Sequence, residues 1–292
     1  MDFGIAFANT GPYTTGEGAV TLSRAAEDAC FESLWTVEHV IVPAGYQSEY
    51  PYDPSGKMPG GEALDIPDPL VWLAWVGAHT SRLNLGTGVL ILPQRNPGVL
   101  AKECATLDAM SGGRVRLGIG VGWLEEEFDA LGVPFADRGA RTDEYVAALR
   151  ALWTEAEATH HGDFVHFDRA ISQPKPANGS IPIVVGGHTK IAARRAGRLG
   201  DGFFPGKGSV DELRDLFAVM RESAEKAGRD PDAIELTTGG EAAFAPDPVA
   251  ALGELAEMGV TRVVIPPLTY NPTKIGDVLG QFGENVIAKV NA

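Results

Sequence analysis

The chain has 292 residues, of which 44% are hydrophobic and 22% charged, and its net charge is −15. The composition is that of a globular protein, and the negative charge argues against nucleic acid or an anionic membrane as a general partner. Two cysteines, Cys30 and Cys104, provide no disulfide framework and fit a reducing compartment. The chain starts without the basic and apolar segments of a signal peptide, so we expect a cytoplasmic protein. Its most apolar run, residues 69–78, is too short to span a bilayer.

A short β-rich run followed by an amphipathic helical pattern recurs eight times along the chain. The predicted strands are 3–8, 33–38, 83–91, 115–121, 181–185, 201–205, 234–238 and 262–266. The predicted helices are 18–32, 69–80, 97–110, 138–153, 189–199, 210–227, 247–258 and 275–290. Eight such units predict an α/β fold, a (β/α)8 TIM barrel, and we expect one domain over residues 1–292. A doubly wound sheet is disfavoured because residues 9–18 lack a G-x-G-x-x-G phosphate fingerprint.

Two insertion segments exceed the minimum barrel. Residues 42–68 leave strand two on the catalytic face, and a long loop in that place predicts a lid over the barrel mouth. Tyr46, Tyr50 and Tyr52 of this loop would then contact a planar substrate. The alternative is a loop that only packs on the surface. Residues 155–180 predict a hairpin around the stretch HGDFVHFD.

The stretch SLWTVEHVIVP places Glu38 and His39 where strand two ends. Polar side chains at the carboxyl ends of barrel strands are the usual catalytic positions. Histidine titrates near neutral pH and can pass a proton, so His39 is the predicted acid or base. Neighbouring strand residues point to opposite faces, which leaves open whether both enter one pocket. The alternative role for His39 is a hydrogen bond to backbone at the strand end.

Glycines mark strands three and four. Gly86 and Gly88 indicate either a close approach of a ligand to the backbone or simple barrel curvature. Gly118, Gly120 and Gly122 alternate, so they share one face of strand four. A face without side chains would leave room for a flat ring, and Gly120 is therefore a predicted cofactor contact.

The stretch VVGGHTK runs from a strand through Gly186 and Gly187 into a helix. Backbone N–H groups at such a turn favour a phosphate. Residues 187–207 also hold five basic residues against one acid, Asp201. The basic residues are Lys190, Arg194, Arg195, Arg198 and Lys207. An anionic ligand fits this cluster, and a solvated helix face is the alternative.

Two further chemistries are disfavoured. His160, His161 and His166 lie near acidic residues, but no standard zinc spacing is present, so no metal is predicted. Lys207 follows strand six, yet the sequence Gly206-Lys207-Gly208 indicates a loop rather than the buried position that a Schiff-base lysine needs.

Several segments, taken together and in this order, resemble the bacterial luciferase-like superfamily. They are EDACFESLWTVEHVIVP (27–43), LGTGVLILPQRNPGVLAKECATLDAMSGGRVRLGIGVGW (85–123), RTDEYVAALRALW (141–153) and IPIVVGGHTKIAARRAGRLGDGFFP (181–205). The Glu-His pair and the stretch YPYDPSG are most similar to the branch that uses coenzyme F420, an 8-hydroxy-5-deazaflavin. Other branches are FMN-dependent monooxygenases.

This resemblance implies a TIM barrel, often dimeric, with the deazaflavin ring across the mouth. It implies a non-proline cis peptide in strand three, at Gly88–Val89, and a ring backed by Gly86, Thr87, Gly88 and Val89. It also implies that Glu38 helps to hold the ring and that His39 lies near the hydride-transferring carbon. Gly186, Gly187 and His188 match the family's phosphate loop, with Lys190 beside it.

One position departs from the pattern. A sugar-phosphate dehydrogenase of this superfamily has a catalytic acid just after strand four, where this chain has Trp123. A tryptophan there implies an apolar or aromatic substrate wall. Glu126 could reach the mouth, but an acid at a helix start is its simpler interpretation.

The predicted function is an F420-dependent oxidoreductase that transfers hydride between the deazaflavin and a small organic substrate, as a homodimer. The alternatives are an FMN-dependent monooxygenase and a protein that binds a flavin without turnover. The sequence does not identify the substrate.

Overall fold

The computed structural model describes all residues from 1 to 292. The chain forms eleven strands and ten α-helices. The strands are β1 (Asp2–Ile5), β2 (Ser33–Thr36), β3 (Asn84–Thr87), β4 (Leu90–Ile91), β5 (Val115–Gly120), β6 (Ala158–His161), β7 (His166–Ala170), β8 (Ile183–Gly186), β9 (Gly202–Phe204), β10 (Glu235–Gly239) and β11 (Val260–Ile265). The helices are α1 (Gly16–Asp28), α2 (Pro69–Gly77), α3 (Pro97–Ser111), α4 (Glu125–Ala130), α5 (Arg138–Thr154), α6 (Lys190–Leu199), α7 (Val210–Lys226), α8 (Pro248–Glu257), α9 (Ile275–Phe282) and α10 (Ala288–Val290).

The parallel strands close into a barrel. Their order is β3-β2-β1-β11-β10-β9-β8-β5, and β5 pairs back to β3 through Leu85 with Val115 and Gly86 with Arg116. β4 continues β3 beyond a cis peptide bond between Gly88 and Val89. Eight strand positions with their helices therefore make the predicted TIM barrel, and the cis bond lies where the resemblance placed it.

The helices begin at residues that supply their first hydrogen bonds. The Asp68 carboxylate accepts from two N–H groups at the start of α2, and the Asn96 side chain does the same for α3. Both helices carry a proline at the first position, which has no N–H to satisfy. These caps, together with Thr189 before α6, set where the chain turns from the barrel mouth into each helix.

A charged layer and a tryptophan fill the barrel interior. Arg262 is fully buried, and its guanidinium donates to Glu32 at 2.8 Å and to Glu235 at 3.0 Å. Trp35 packs nearer the mouth against Val184 and Val264. The barrel is thus a packed core that leaves chemistry to its mouth.

The insertions lie outside the barrel sheet. Residues 42–68 form an irregular loop, which we name the 42–68 loop. Residues 155–180 contain the predicted hairpin, an antiparallel pair of β6 and β7. No helix of the protein is long and apolar enough to cross a membrane.

Candidate active site

His39 is fixed by a buried carboxylate. Its Nδ1 lies 3.0 Å from Oε2 of Glu127, and the His39 side chain is only 10% exposed. The other oxygen of Glu127 accepts the backbone N–H groups of Val40 at 2.6 Å and Ile41 at 3.1 Å. Since an ionised carboxylate can only accept, this pairing assigns the proton to Nδ1 and leaves Nε2 free for another partner.

The electrostatics keep Glu127 ionised. Burial alone would raise the pKa of this carboxyl, but the hydrogen bond and charge of His39 and the N–H of Ile41 outweigh burial. The net effect is a pKa below the usual value. The pair therefore resembles the carboxylate–imidazole arrangement that orients a catalytic histidine.

Glu127 was not among the predicted site residues, since the sequence interpretation considered only its neighbour Glu126 and placed that acid at a helix start. A local signal was present. Leu124, Glu127, Phe128 and Leu131 follow the spacing of one helix face, and three of them are apolar. A lone acid on an apolar face needs a buried partner, and that partner is the histidine at the end of β2.

Glu38 takes a separate set of partners. One oxygen accepts the Ile91 N–H at 2.6 Å, and the other accepts from Arg95, with Nε at 3.1 Å. Arg95 also donates to Asp68 at 2.7 Å. Burial lowers the pKa of Arg95, but the charges and hydrogen bonds of Glu38 and Asp68 outweigh burial, so the pKa of Arg95 is raised. Burial raises the pKa of Glu38 above its usual value, although Arg95 and the Ile91 N–H oppose that effect.

Glu38 and His39 nevertheless line one cavity of about 290 Å3. Val40, Ile66 and Leu131 supply its apolar surface. Although the two side chains bind different elements, as neighbouring residues at a strand end can, both line the same cavity. A small organic molecule that enters it would meet both a histidine and apolar groups.

The predicted substrate residues form one aromatic series across the mouth. The His39 ring meets Trp123 edge to face at 5.6 Å between ring centres, and Trp123 meets Tyr50 at 5.2 Å. Tyr50 then contacts Tyr52 at 5.3 Å, and Tyr52 meets His188 at 4.6 Å. Tyr46 packs on Trp123 from the side, at 5.5 Å. The 42–68 loop thereby spans the mouth from the end of β2 to the end of β8.

Glu126 anchors this loop. Its carboxylate accepts the backbone N–H groups of Gln47 at 2.7 Å and Ser48 at 3.1 Å, and the Ser48 hydroxyl at 2.6 Å. The hydroxyl and the N–H groups lower the pKa of Glu126 to about 2. The helix-start interpretation was incomplete, since Glu126 ties α4 to the loop over the mouth.

Val89 occupies the space between two glycines. A Cβ at Gly120 would lie 2.5 Å from one Val89 methyl group, and a Cβ at Gly186 would lie 2.4 Å from the other. A Cβ at Gly118 would strike the Thr87 carbonyl oxygen at 1.7 Å. The interpretation of this glycine face as room for a flat ring is therefore wrong, because strand three already fills that room.

The predicted ring-backing residues lie at two depths. Gly86 and Thr87 are buried: a Cβ at Gly86 would meet the Trp35 indole at 2.7 Å, and the Thr87 hydroxyl donates to the Gly118 carbonyl at 2.6 Å. Gly88 and Val89 are half-buried and reach the mouth. A bound ring would therefore rest on the Val89 end of this segment, with Gly86 and Thr87 supporting it from below.

The turn Gly186–His188, which we name the phosphate turn, leads into α6. Gly187 has a φ of +121°, a backbone region that L side chains rarely adopt. The Nδ1 atom of His188 is buried and has no hydrogen-bond partner. Burial first, and then the Lys207 charge, lower the pKa of His188, so its ring is neutral at neutral pH. An orphaned imidazole nitrogen beside a helix start is a fit for an anionic oxygen.

The basic cluster divides in the fold. Arg195 and Arg198 both pair with Asp143, the latter at 2.7 Å, which leaves them neutralised. Lys190 is exposed at the first position of α6. The Lys207 ammonium lies over the Tyr52 ring at 5.4 Å. Arg194 is exposed, and its charge acts on Glu222 of α7. Lys190, two residues after His188, and Lys207, whose charge lowers the pKa of His188, are therefore the candidate cations for a phosphate at this turn.

A sequence profile described as luciferase-like monooxygenase matches residues 1–276. The chain belongs to this family. It is 37% identical over 280 residues to an uncharacterised protein of Mycobacterium tuberculosis strain H37Rv, with 93% of this chain and 95% of the relative covered. It is 34% identical over 233 residues to an F420-dependent glucose-6-phosphate dehydrogenase of Kineococcus radiotolerans, with 78% of this chain and 64% of the relative covered.

The fold is shared more widely than the sequence. The oxygenating constituent of 3,6-diketocamphane monooxygenase from Pseudomonas putida, solved with FMN, superposes with a TM-score of 0.76. That match covers 99% of both chains at 16% identity. The protein is thus an oxidoreductase of the luciferase-like family, and it shares its fold with this FMN-bound monooxygenase.

Proposed function

We propose that this oxidoreductase uses coenzyme F420 and transfers hydride between the deazaflavin and a small organic substrate. The observation that carries the proposal is the His39 imidazole, fixed through Nδ1 by Glu127 with Nε2 free, and lining the cavity that it shares with Glu38. The relative from Kineococcus radiotolerans, an F420-dependent enzyme, supports the choice of cofactor. Bound F420 supplies a carbon-centred hydride donor or acceptor that reacts poorly with oxygen.

The residues of this chain would divide the work. Gly88 and Val89 would back the ring from strand three, and the phosphate turn with Lys190 would hold the phosphate. The 42–68 loop would exclude water. His39 would give or take one proton at Nε2, while Glu127 holds its other nitrogen. Glu38 would support the cofactor ring indirectly, because its two oxygens already accept hydrogen bonds from Ile91 and Arg95.

The aromatic series favours a planar or apolar substrate over a sugar phosphate. Trp123 lies edge-on to His39, Tyr46 and Tyr50, so the wall beside the proposed acid or base is a surface of rings. Such a wall presents mostly ring carbon, with the Trp123 N–H and the tyrosine hydroxyls as its few hydrogen-bonding groups, whereas a sugar phosphate needs many. We therefore do not propose glucose 6-phosphate, the substrate in the relative's name, as the substrate of this protein.

An FMN-dependent monooxygenase is the second candidate. The family description and the FMN-bound structure of the same fold favour it. The two functions differ in their use of oxygen. With reduced cofactor in air, the F420 enzyme would consume no more oxygen than a blank, whereas reduced FMN with a monooxygenase would drive oxygen uptake. A third candidate, a flavin-binding protein without turnover, would bind a cofactor that no donor or acceptor ever converts.

His39→Ala tests the role of the histidine. We expect turnover to fall by about 10²-fold or more, the contribution of a positioned acid or base, with cofactor binding retained. If both turnover and cofactor affinity match the wild type, the role proposed for His39 is wrong.

We also propose a cytoplasmic homodimer. Both cysteines are free thiols, Cys104 being buried, which fits a reducing compartment. Val71 and Trp75 of α2 are 71% and 50% exposed, and Val99 and Met110 of α3 are 56% and 84% exposed. Two packed helices with exposed apolar side chains are a surface that a second copy could cover.

A further inference from the structure

The hairpin of β6 and β7 places two histidines side by side. His161 and His166 are direct partners across the antiparallel pair, and their ring centres are 4.3 Å apart. Residues directly opposite each other in such a pair bring their side chains to the same face. A separation of five residues does not by itself predict this contact. The two histidines meet because the register of the strands places them opposite each other.

Asp168 completes a cluster on that face. It follows His166 by two positions, so both side chains project to the same side of β7. Its oxygens lie 2.6 Å from Nε2 of His161 and 3.1 Å from Nε2 of His166. All three potential ligand atoms lie within 4.8 Å of one another. The side chains are 58%, 59% and 61% exposed, so an ion from solvent reaches them directly.

The backbone beneath the cluster is held from α5. The Glu144 carboxylate accepts the N–H groups of Asp163 at 2.9 Å and Val165 at 2.8 Å, within the turn of the hairpin. Gly162 permits this approach, because a Cβ there would meet the carboxylate at 2.0 Å. The positions of the two histidines are therefore set before any ligand binds, which lowers the cost of organising a site.

We propose that His161, His166 and Asp168 form a site for a divalent transition metal of the zinc class on the insertion hairpin. Two imidazole nitrogens and one carboxylate oxygen are a ligand set that Zn²⁺ accepts, at about 2.0–2.2 Å from each donor. The ion would stand among the three side chains, and exposure leaves its fourth position to water. This site differs from the sequence expectation of no metal, which rested on linear spacing.

The site is separate from the proposed oxidoreductase chemistry. The hairpin packs along α5, where Glu144 binds its turn, and none of the three proposed ligands lines the cavity of Glu38 and His39 or joins the aromatic series. A metal here would join β6 to β7 and so clamp the insertion. Its presence or absence does not depend on whether F420 is the cofactor.

Calorimetric titration of the full, tag-free chain with ZnCl2, after treatment with EDTA and desalting, tests the proposal. We expect one equivalent of Zn²⁺ to bind, and His161→Ala, His166→Ala and Asp168→Asn each to weaken binding about tenfold or more. Asp163→Asn on the same hairpin and His79→Ala on the barrel are matched controls that should bind as the wild type does. MgCl2 should give no comparable binding, since Mg²⁺ prefers oxygen ligands.

Circular dichroism checks that each variant is folded. We expect every variant to fold, because these exposed side chains do not pack in the core. No Zn²⁺ binding by the wild type would overturn the proposal. Binding that survives all three ligand substitutions, or that the two controls weaken equally, would also overturn it.

Discussion

The imidazole of His39 and the carboxylate of Glu127 form a hydrogen-bonded pair, 3.0 Å apart, between the end of β2 and helix α4. They are separated by 88 residues in the chain, yet Glu127 also binds the two N–H groups that follow His39. One buried carboxylate thus fixes both the ring and the backbone that carries it. This pair is the centre of the proposed site.

Glu127→Gln should lower turnover more than cofactor binding. The amide oxygen can still accept from Val40 and Ile41, but the amide nitrogen is a donor and cannot accept from Nδ1 of His39. The ring would turn or take its other tautomer, and we expect kcat to fall roughly tenfold to a hundredfold, less than the 10²–10⁴-fold that a whole acid–base group supplies. Steady-state kinetics and an F420 titration measure the two effects.

Glu125→Gln is the control for that variant, because Glu125 is exposed and its contact with Ser48 is made by its backbone N–H, which the substitution keeps. A Glu127→Gln enzyme with wild-type kcat, or one that loses only thermal stability, would contradict a positioning role for Glu127.

Because of Glu126, the anchoring of the 42–68 loop should depend on pH and weaken in acid. Its pKa of about 2 lies below its usual 4.5, so its stabilising effect is complete above about pH 4.5 and is lost as the pH falls towards 2. Glu126→Gln should remove this charge effect at every pH. Chymotrypsin at pH 7 should then cut the variant near Tyr46, Tyr50 and Tyr52 faster than it cuts the wild type, while the same loop in Glu125→Gln stays protected. Equal cleavage of all three proteins would show that Glu126 does not hold the loop.

Gly186→Ala should push Val89 from its place. The new Cβ would lie 2.4 Å from a Val89 methyl group, and overpacking of this kind costs about 1–3 kcal/mol. We expect a lower free energy of unfolding and weaker F420 binding, both restored in part by Val89→Ala in the same chain. Gly206→Ala is the control, since a Cβ there meets nothing within 4 Å. If the double variant is no better than Gly186→Ala, contact with Val89 is not the cause.

Val71→Glu should dissociate the proposed dimer. Val71 is 71% exposed on α2, and a buried unpaired carboxylate at an interface is costly. Light scattering after gel filtration should give twice the chain mass for the wild type and a single chain mass for the variant. Ile171→Glu, at a position 70% exposed beside the hairpin, should remain dimeric. A monomeric wild type at micromolar concentration would contradict the proposal.

Local patterns were enough to predict the barrel. Each β-run and the helix after it lie close in sequence, so alternation and amphipathicity placed all eight units, and a resemblance placed the cis bond at Gly88–Val89. Contacts between distant segments were not predictable in the same way. The Glu127–His39 pair, the filling of the glycine face by Val89 and the register that joins His161 to His166 each depend on three-dimensional packing.

The cofactor preference is tested most directly by titrating the apoprotein with F420 and, separately, with FMN while following fluorescence. We expect micromolar or tighter binding of F420 and much weaker binding of FMN. Tight binding of FMN with weak binding of F420 would contradict the proposed function and move this protein to the monooxygenases of its family.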